Sequence, residues 1–233
     1  MASGGFMICN NCFTPGAAGK APPGCGECGS ALVPETVFET HRIDEDSCAA
    51  LIRRACADFQ VRPFVGVRDA AGTFGWKTYG QIWDDALATA AGVLNATSTS
   101  LSAGPESPLA PGFRVLVIGD TSPGYVTVIL SSLLLGGVLV PVSGQVDDEA
   151  IVYIASKAQP TLIFVDDQYR DRVSAAVAQG LPDASPVYLP LTDFETKVLD
   201  PGKKAMEQNP NFVPQHLQSV EETIKPGDAS AIL

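Results

Sequence analysis

Basic residues and histidines are scarce in this sequence. Lysine and arginine together number 15 against 26 aspartates and glutamates, only 2 histidines occur, and the formal net charge is −11. Proteins that bind nucleic acid normally carry a basic face, so this balance argues against a phosphate-backbone partner and equally against an anionic membrane surface. His216 has no serine or cysteine partner recognisable in the sequence, and we interpret both His41 and His216 as ordinary surface residues.

Signals for export and membrane insertion are also lacking. The first residues show no basic region followed by an apolar run, so no secretory signal is expected, and alanine instead of glycine after the first methionine excludes N-myristoylation. The stretch Tyr125–Val142 approaches the length of a membrane span, but Ser131, Gly136 and Pro141 interrupt it. We interpret it as a buried helix, turn and strand, and expect a soluble, cytoplasmic protein with no transmembrane segment.

Enough apolar material is present for a sizeable core, because 45% of the residues are hydrophobic. From Phe113 onward, short apolar runs alternate with segments of helical periodicity. Strands are predicted at 114–118, 138–142, 161–165 and 186–189, with helices at 123–135 and 168–178 and a further helix whose first turn carries Asp147, Asp148 and Glu149. Buried strands separated by amphipathic helices are typical of a doubly wound α/β fold with a mainly parallel sheet.

The flanking regions have less regular patterns. The elements predicted before residue 97 are a helix at 46–59, hairpin strands at 64–67 and 73–78, and a helix at 80–95. The Ser-, Pro- and Gly-rich segment 97–112 is predicted to be an exposed loop, and the polar tail 192–226 has no assigned structure. Residues 229–233 have the pattern of an unfinished buried strand, which suggests a truncated reading frame or a fragment.

The strongest local signal is a pair of C-x-x-C motifs near the start of the chain, formed by Cys9, Cys12, Cys25 and Cys28. Two knuckles at this spacing close a tetrahedron of thiolates around Zn²⁺ and resemble those of a zinc ribbon. Four protein ligands leave no open coordination position, so we predict a structural and not a catalytic metal site. The alternative, incidental or redox-active thiols, is disfavoured because redox C-x-x-C motifs normally open a helix in a thioredoxin-like fold.

The remaining cysteines and His41 have simpler interpretations. Cys48 and Cys56 lie on one predicted helix and are interpreted as small buried hydrophobic residues. His41 follows the cysteine-rich segment and is a conceivable replacement ligand, although four cysteines already suffice. Lys20 is the only basic residue between the two C-x-x-C motifs, so the predicted ribbon suits a protein contact or simple end-capping better than nucleic acid.

Phosphate-binding loops are not found by their motifs. The chain has no G-x-G-x-x-G after a predicted strand, and Gly202-Lys203-Lys204 lacks the upstream glycine and the Ser/Thr of a Walker loop. The turn 119–122 precedes a helix and so offers a helix N-terminus to an anion, but an ordinary capped turn has the same pattern. Spacing alone predicts a zinc knuckle and an α/β layer, without a catalytic constellation.

Four segments of the α/β part form an ordered set: Trp76–Ile82, Pro111–Tyr125, Leu135–Val142 and Asp148–Asp166. The first two read W-K-T-Y-G-Q-I and P-G-F-R-V-L-V-I-G-D-T-S-P-G-Y, and the third reads L-G-G-V-L-V-P-V. In this order the four segments resemble consecutive blocks of the adenylate-forming enzymes, a superfamily of acyl-CoA synthetases, luciferases and peptide-synthetase adenylation domains. Gln81 departs from the pattern, because the family usually has glutamate there.

The resemblance implies the chemistry of an ATP-dependent, AMP-forming ligase. In that family a carboxylate and ATP give an acyl-adenylate and pyrophosphate, with Mg²⁺ balancing the phosphate charge, and a thiol such as coenzyme A then captures the acyl group. The family's Gly-rich phosphate loop and catalytic lysine would lie beyond Leu233, so no catalytic or cofactor-binding residue is carried over to this chain. We therefore expect a fragment of an acyl-CoA synthetase, acting on a carboxylic acid such as a fatty acid, that is inactive alone.

Two other interpretations stay open: a catalytically inactive binding or regulatory module made of a zinc ribbon and a synthetase half-domain, or an unrelated α/β protein with a zinc ribbon. We divide the chain into a zinc-ribbon-like head with four cysteine ligands, residues 1–40, and the N-terminal portion of an AMP-binding domain, residues 41–233. Because the family sheet would be incomplete, the strands near Val115, Leu139 and Ile163 are expected to lack a covering layer. A protein partner or a missing C-terminal part would then complete the sheet.

Overall fold

The computed structural model describes residues 48–100 and 109–224, together with the backbone of three short strands near the start of the chain. The chain divides into two compact units, Met1–Asp44 and Glu45–Leu233. In the first unit the strands form an antiparallel sheet in the order β2-β1-β3. These strands are β1 (Met7–Cys9), β2 (Pro15–Gly16) and β3 (Leu32–Pro34).

The second unit opens with a helix and a β-hairpin and continues as alternating strands and helices. Its elements in chain order are α1 (Cys48–Asp58), β4 (Pro63–Arg68), β5 (Phe74–Thr78), α2 (Tyr79–Ser100), β6 (Arg114–Gly119), α3 (Pro123–Leu134), β7 (Val138–Ser143), α4 (Asp148–Ala158), β8 (Leu162–Val165), α5 (Arg170–Gly180), β9 (Val187–Pro190), α6 (Asp200–Gln208) and α7 (Phe212–Thr223). A 3₁₀ turn (Asp167–Tyr169) precedes α5, and a π-helical segment (Glu195–Leu199) precedes α6.

Strands β6 to β9 form a parallel sheet in the order β7-β6-β8-β9. Leu116 of β6 lies between Val140 of β7 and Ile163 of β8, and Ile163 pairs in turn with Tyr188 of β9. Continuous apolar runs such as Val-Leu-Val-Ile in β6 are what a parallel sheet requires, since both of its faces are buried. The predicted α/β class with a parallel sheet is therefore confirmed.

Helices cover both faces of this sheet. One face, which includes Val115 and Phe164, packs against α2, α3 and the π-helical segment, and the other face packs against α4 and α5. Val115, Leu139 and Ile163 are 0%, 6% and 0% exposed. The expectation that these strands lack a covering layer is wrong, because helices of the chain itself pack on both faces of the sheet.

Helix α2 is longer than predicted and includes Thr97–Ser100, the first residues of the predicted exposed loop. Thr97 is fully buried, and its hydroxyl donates a hydrogen bond of 2.8 Å to the carbonyl oxygen of Val93. Such bonds to the preceding turn satisfy the hydroxyls of Thr97 and Ser98 without interrupting the helix. Residues 101–108 of the predicted loop lie outside the described residues.

The tail that had no assigned structure is largely helical as far as Ile224. Its apolar residues are widely spaced but buried: Phe194, Val198, Leu199, Val213 and Val220. Because long polar stretches separate them, their periodicity is weak in the sequence, and the helices are stabilised by packing rather than by a strong apolar pattern. The predicted strand at 229–233 lies outside the described residues.

The apolar stretch Tyr125–Val142 forms most of α3, a turn and most of β7, which confirms the predicted helix, turn and strand. Gly136, with a φ of 76°, lies in the turn between them, in a conformation that favours glycine. Within the described part of the chain, no helix combines the length and the apolar character needed to cross a membrane.

Two glycines allow α2 to lie close to α6 and to the π-helical segment. A Cβ atom at Gly202 of α6 would collide with the carbonyl oxygen of Ala88 in α2, and one at Gly92 of α2 would lie 2.5 Å from the carbonyl oxygen of Val198. Gly202 of the Gly-Lys-Lys run thus has a packing role, because only the absence of a side chain lets the two backbones approach.

Candidate functional site

The carboxyl ends of β6 and β9 border a cavity of about 380 Å³. In open α/β sheets, ligands bind in the crevice outside this edge of the sheet. Three parts of the chain line the cavity: the start of α3, the segment that follows β9, and the pair formed by the hairpin and α2. This cavity is the candidate site.

The start of α3 is a capped turn. The hydroxyl of Ser122 accepts a hydrogen bond of 3.1 Å from the backbone N–H of Tyr125, and Pro123 occupies the first turn of the helix. The hydroxyl of Thr127 donates to the carbonyl oxygen of Pro123 at 2.8 Å. The side chains of this wall therefore bond to the backbone of their own helix.

An ion-pair cluster forms another part of the cavity lining. The ammonium of Lys77 lies 2.7 Å from a carboxylate oxygen of Asp85 and 3.7 Å from one of Glu195. These residues belong to β5, α2 and the π-helical segment, so the pairs join three elements. With Asp193 the cavity lining holds three carboxylates and one ammonium, a charge set that does not fit a triphosphate.

A second network fixes the edge of the sheet beside the cavity. A carboxylate oxygen of Asp166, which follows β8, accepts a hydrogen bond of 2.8 Å from the backbone N–H of Asp120, which follows β6. Thr192, which follows β9, accepts a bond of 3.0 Å from the backbone N–H of Asp167. A Cβ atom at Gly119 would lie 2.5 Å from the Asp166 carboxylate, so the glycine allows this close approach. Three strand ends are thereby held together.

The four predicted zinc ligands lie in the first unit. Cys9 is the last residue of β1, and its side chain is outside the described part of the structure. Cys12, Cys25 and Cys28, as well as His41, also lie outside the described residues. Over residues 48–100 and 109–224, no group of three or more His, Cys, Asp or Glu side chains is arranged to hold a metal ion.

The two other cysteines and His216 differ from their interpretations in part. Cys56 is buried as expected, and burial raises the pKa of its thiol, but Cys48 is exposed because it is the first residue of α1. His216 is half-buried on α7 rather than in an irregular tail, and burial lowers the pKa of its imidazole. Its Nε2 atom is buried and has no hydrogen-bond partner among the described residues.

Sequence reasoning missed the ion-pair wall of the cavity. The sequence pattern places Lys77 and Asp85 only in a strand and a helix, and Glu195 lies in the tail without assigned structure. The available signal is the pair of buried apolar residues Phe194 and Val198, whose spacing of four residues is helical. A helical segment at this point would have placed Glu195 directly after the last strand.

Comparison with known proteins gives the affiliation of the α/β unit. The family model described as AMP-binding enzyme matches residues 52–233. The chain belongs to the AMP-binding enzyme family. The four ordered segments between Trp76 and Asp166 all lie inside the matched range, which confirms the resemblance to adenylate-forming enzymes. Enzymes of this family use ATP and Mg²⁺.

Individual relatives agree with this membership. The chain is 30% identical to carboxylic acid reductase of Mycobacterium tuberculosis over 186 residues, covering 72% of this chain and 15% of the reductase. The A-PCP didomain of carboxylic acid reductase from Segniliparus rugosus, solved in complex with AMP, shares 18% identity at a TM-score of 0.52 and covers 84% of this chain and 30% of that chain. The adenylation domain of the carboxylate reductase from Mycobacterium chelonae shares 18% identity at a TM-score of 0.50. That match covers 84% of this chain and 32% of the chain in the solved structure.

The structural likeness at this identity shows the fold alone. The chain spans about a third of the two solved reductase structures, and 15% of the mycobacterial reductase. The ligands of these relatives are properties of those proteins, and the structural likeness does not assign them to this chain.

Proposed function

We propose that this chain is the N-terminal part of the adenylating domain of an acyl-CoA synthetase, which joins a carboxylic acid to a thiol through an acyl-adenylate. The observation that carries the proposal is the match of the AMP-binding family model to residues 52–233. The substrate is a carboxylic acid such as a fatty acid. ATP with Mg²⁺ supplies the AMP group of the adenylate, and coenzyme A accepts the acyl group.

In this proposal the described residues form part of the framework of the domain, and we assign none of them a role as a reacting group. The acidic cavity does not fit the phosphates of ATP, since Lys77 is already paired with Asp85. The network of Asp166 and Thr192 holds the strand ends and the start of α3 in place. We assign these residues a positioning role at the edge of the sheet and derive no step of catalysis from them.

The second candidate function is the adenylation domain of a carboxylic acid reductase. The 30% identity to the reductase of Mycobacterium tuberculosis favours it. The two candidates share the acyl-adenylate and differ in its fate, because a synthetase releases an acyl thioester of coenzyme A and a reductase reduces the activated acid. Sequencing the gene on both sides of these 233 codons and assaying the encoded protein for acyl-CoA distinguishes them.

The 233-residue chain by itself is expected to show no acid-dependent release of pyrophosphate above background. Catalysis of adenylation depends on backbone N–H donors that cradle the phosphates, and these 233 residues contain no Gly-rich loop of that kind. The measurement is a coupled pyrophosphate assay with ATP, Mg²⁺, coenzyme A and a series of carboxylic acids. Turnover that requires the acid would contradict the expectation. A gene that ends after codon 233 would favour the inactive binding module instead.

We propose further that residues 1–40 bind one structural Zn²⁺ through Cys9, Cys12, Cys25 and Cys28. The backbone register supports this proposal, because Cys9 at the end of β1 pairs with Leu32 at the start of β3. Cys12 follows Cys9 by three residues, and Cys28 precedes Leu32 by four. The first motif therefore begins, and the second ends, within a few residues of the same paired position, Cys9 and Leu32, at one end of the sheet.

Purified protein is expected to contain about one zinc ion per chain, as four thiolates form one closed tetrahedral site. A Cys25→Ser variant is expected to lose the metal, and the wild-type site should weaken at acid pH, where protons compete for the thiolates. Elemental analysis after metal-replete expression measures the occupancy. Cys48→Ser, which changes an exposed cysteine outside the motifs, is the matched control. Full occupancy in the Cys25→Ser variant would refute the assignment.

A further inference from the structure

Helix α7 carries a histidine in its apolar stripe. One face of the helix is formed by residues at the spacing i, i+3, i+4 and i+7: Val213, His216, Leu217 and Val220. Val213 and Val220 are each 1% exposed, and Leu217 packs against both hydrophobic clusters that include residues of α2. His216 therefore occupies a position whose neighbours along the stripe are apolar.

The imidazole of His216 is poorly provided with hydrogen-bond partners. The residue is half-buried, and its Nε2 atom is buried without a partner among the described residues. A neutral imidazole can leave one nitrogen unprotonated, whereas an imidazolium carries an N–H on both nitrogens. Protonation would therefore place a charged donor at a buried position that offers it no acceptor, and this costs more than leaving a neutral nitrogen unpaired.

The charged side chains of the helices around α7 form ion pairs or are exposed. Helix α7 packs against α1, α2 and the end of α3, and it follows α6 in the chain. Three ion pairs involve residues of these helices: Arg53–Glu221, Arg54–Asp58 and Lys77–Asp85. The other charged residues of α1, α2, α6 and α7 are exposed: Asp84, Asp200, Lys203, Lys204, Glu207 and Glu222.

The neutral titratable groups of α1, α2 and α3 are thiols and phenols: Cys48, Cys56, Tyr79 and Tyr125. Thiols and phenols ordinarily carry no charge at and below neutral pH. Burial is the cause that lowers the pKa of the His216 imidazole, and no charge on the described residues offsets it.

Packing of the apolar stripe holds α7 in place. With 12 residues, α7 is close to the length at which an isolated helix is only marginally stable in water. A Cβ atom at Gly136 would lie 3.0 Å from Cγ1 of Val220, so the helix lies directly against the turn between α3 and β7. The Arg53–Glu221 pair is partly exposed and contributes little by comparison. A penalty on the stripe is therefore a penalty on the docking of the whole helix.

We propose that α7 is an acid-sensitive element, which protonation of His216 releases from the rest of the α/β unit. In the released helix the imidazole is in water, where its pKa is about 6.5, whereas burial in the docked helix lowers that pKa. Because the released state binds the proton more readily, docking is most stable above pH 6.5 and weakens as the pH falls below it. The inference is independent of the proposed function, since it uses only the contacts of α7.

Amide hydrogen exchange of the 233-residue chain, measured by mass spectrometry at pH 7.5 and 5.5 and corrected for intrinsic rates, tests the proposal. The released population of α7 is expected to rise by up to about tenfold at the lower pH, the limit set by protonation of a free imidazole over this range. Peptides from β6 and β8, the two inner strands of the parallel sheet, are expected to keep their protection. A rise in α7 below about twofold, or an equal rise in β6 and β8, overturns the proposal.

His216→Leu is expected to abolish the pH dependence of exchange in α7, because leucine suits the apolar stripe and cannot be protonated. His41→Gln, which alters the only other histidine of the chain, is the matched control and should keep the pH dependence. The first unit contains His41, so this control also tests whether that histidine contributes to the response. Unchanged pH dependence in His216→Leu, or its loss in His41→Gln, overturns the proposal.

A direct titration applies even where His216→Leu fails to fold. In the His41→Gln variant a single imidazole remains, so its ring protons can be followed by NMR between pH 7.5 and 5 without ambiguity. The pKa of His216 in the folded chain is expected to lie below the ordinary histidine value, since burial opposes its protonation. A pKa at or above the ordinary value would show that the docked helix accepts the proton freely, and the proposal would then be wrong.

Discussion

A Gly202→Ala variant is expected to lose about 3 kcal/mol of unfolding free energy, the upper end of the usual range for overpacked sites. The added methyl group would collide with the backbone carbonyl of Ala88, and a backbone atom cannot rotate away as a side chain can. Helices α2 and α6 would have to separate, which would disturb the layer that covers the sheet around Phe164. Thermal unfolding followed by circular dichroism should show a midpoint lowered by about 6–12 °C.

Gly75→Ala is the matched control for this prediction. A Cβ atom at Gly75 would meet nothing closer than the carbonyl oxygen of Val67 at 4.0 Å, and Gly75 is not among the glycines with positive φ. The control is expected to change the stability by less than about 1 kcal/mol. A Gly202→Ala protein that melts together with the control would show that α2 and α6 do not cross at close range.

An Arg172→Ala variant is expected to cost about 2–3 kcal/mol, because charge-assisted hydrogen bonds to partly buried groups are lost. The guanidinium of Arg172 donates to the carbonyl oxygens of Gly144 and Val146, each at 2.6 Å, and lies 3.0 Å from a carboxylate oxygen of Asp148. It therefore fixes the loop between β7 and α4 from the side of α5. Urea unfolding measures the loss.

Two further variants show whether the loss in Arg172→Ala comes from the hydrogen bonds to the two carbonyl oxygens. Arg172→Lys keeps the charge but replaces the two donating nitrogens of the planar guanidinium with a single ammonium, so a partial loss is expected. Arg54→Ala, which removes an exposed ion pair of 3.6 Å with Asp58, should cost less than about 1 kcal/mol. Equal losses in Arg172→Ala and Arg54→Ala would mean that the loop is held by other contacts.

Local signals accounted for the strands of the sheet and for the starts of α3 and α4. Ser122 and Asp147 each accept a hydrogen bond from a backbone N–H three residues later, so the beginnings of α3 and α4 are encoded within one turn. The strand pattern is equally local, since four consecutive apolar residues in β8 suffice for a strand buried on both faces. These interactions act over few residues and can be predicted without knowledge of the partner.

The candidate site could not be predicted in the same way. Its cavity brings together Lys77, Asp85 and Glu195, and the last of these is more than a hundred residues from the first two. Ion pairs of this kind depend on how three elements meet, and neither residue type nor spacing contains that information. The same holds for the contact between Asp166 and the N–H of Asp120, which joins the ends of two strands that are adjacent only in the folded sheet.

The sequence by itself determined the family, the α/β class and the order of strands and helices as far as β9, because apolar periodicity, caps and short ordered motifs are properties of neighbouring residues. Only the tertiary structure decided that the polar tail is helical, that Gly202 is a packing residue, and that the sheet is covered while Phe74 and Trp76 of the hairpin are exposed. Each of these depends on which distant surfaces meet, and burial is a property of the assembled layers rather than of any one segment.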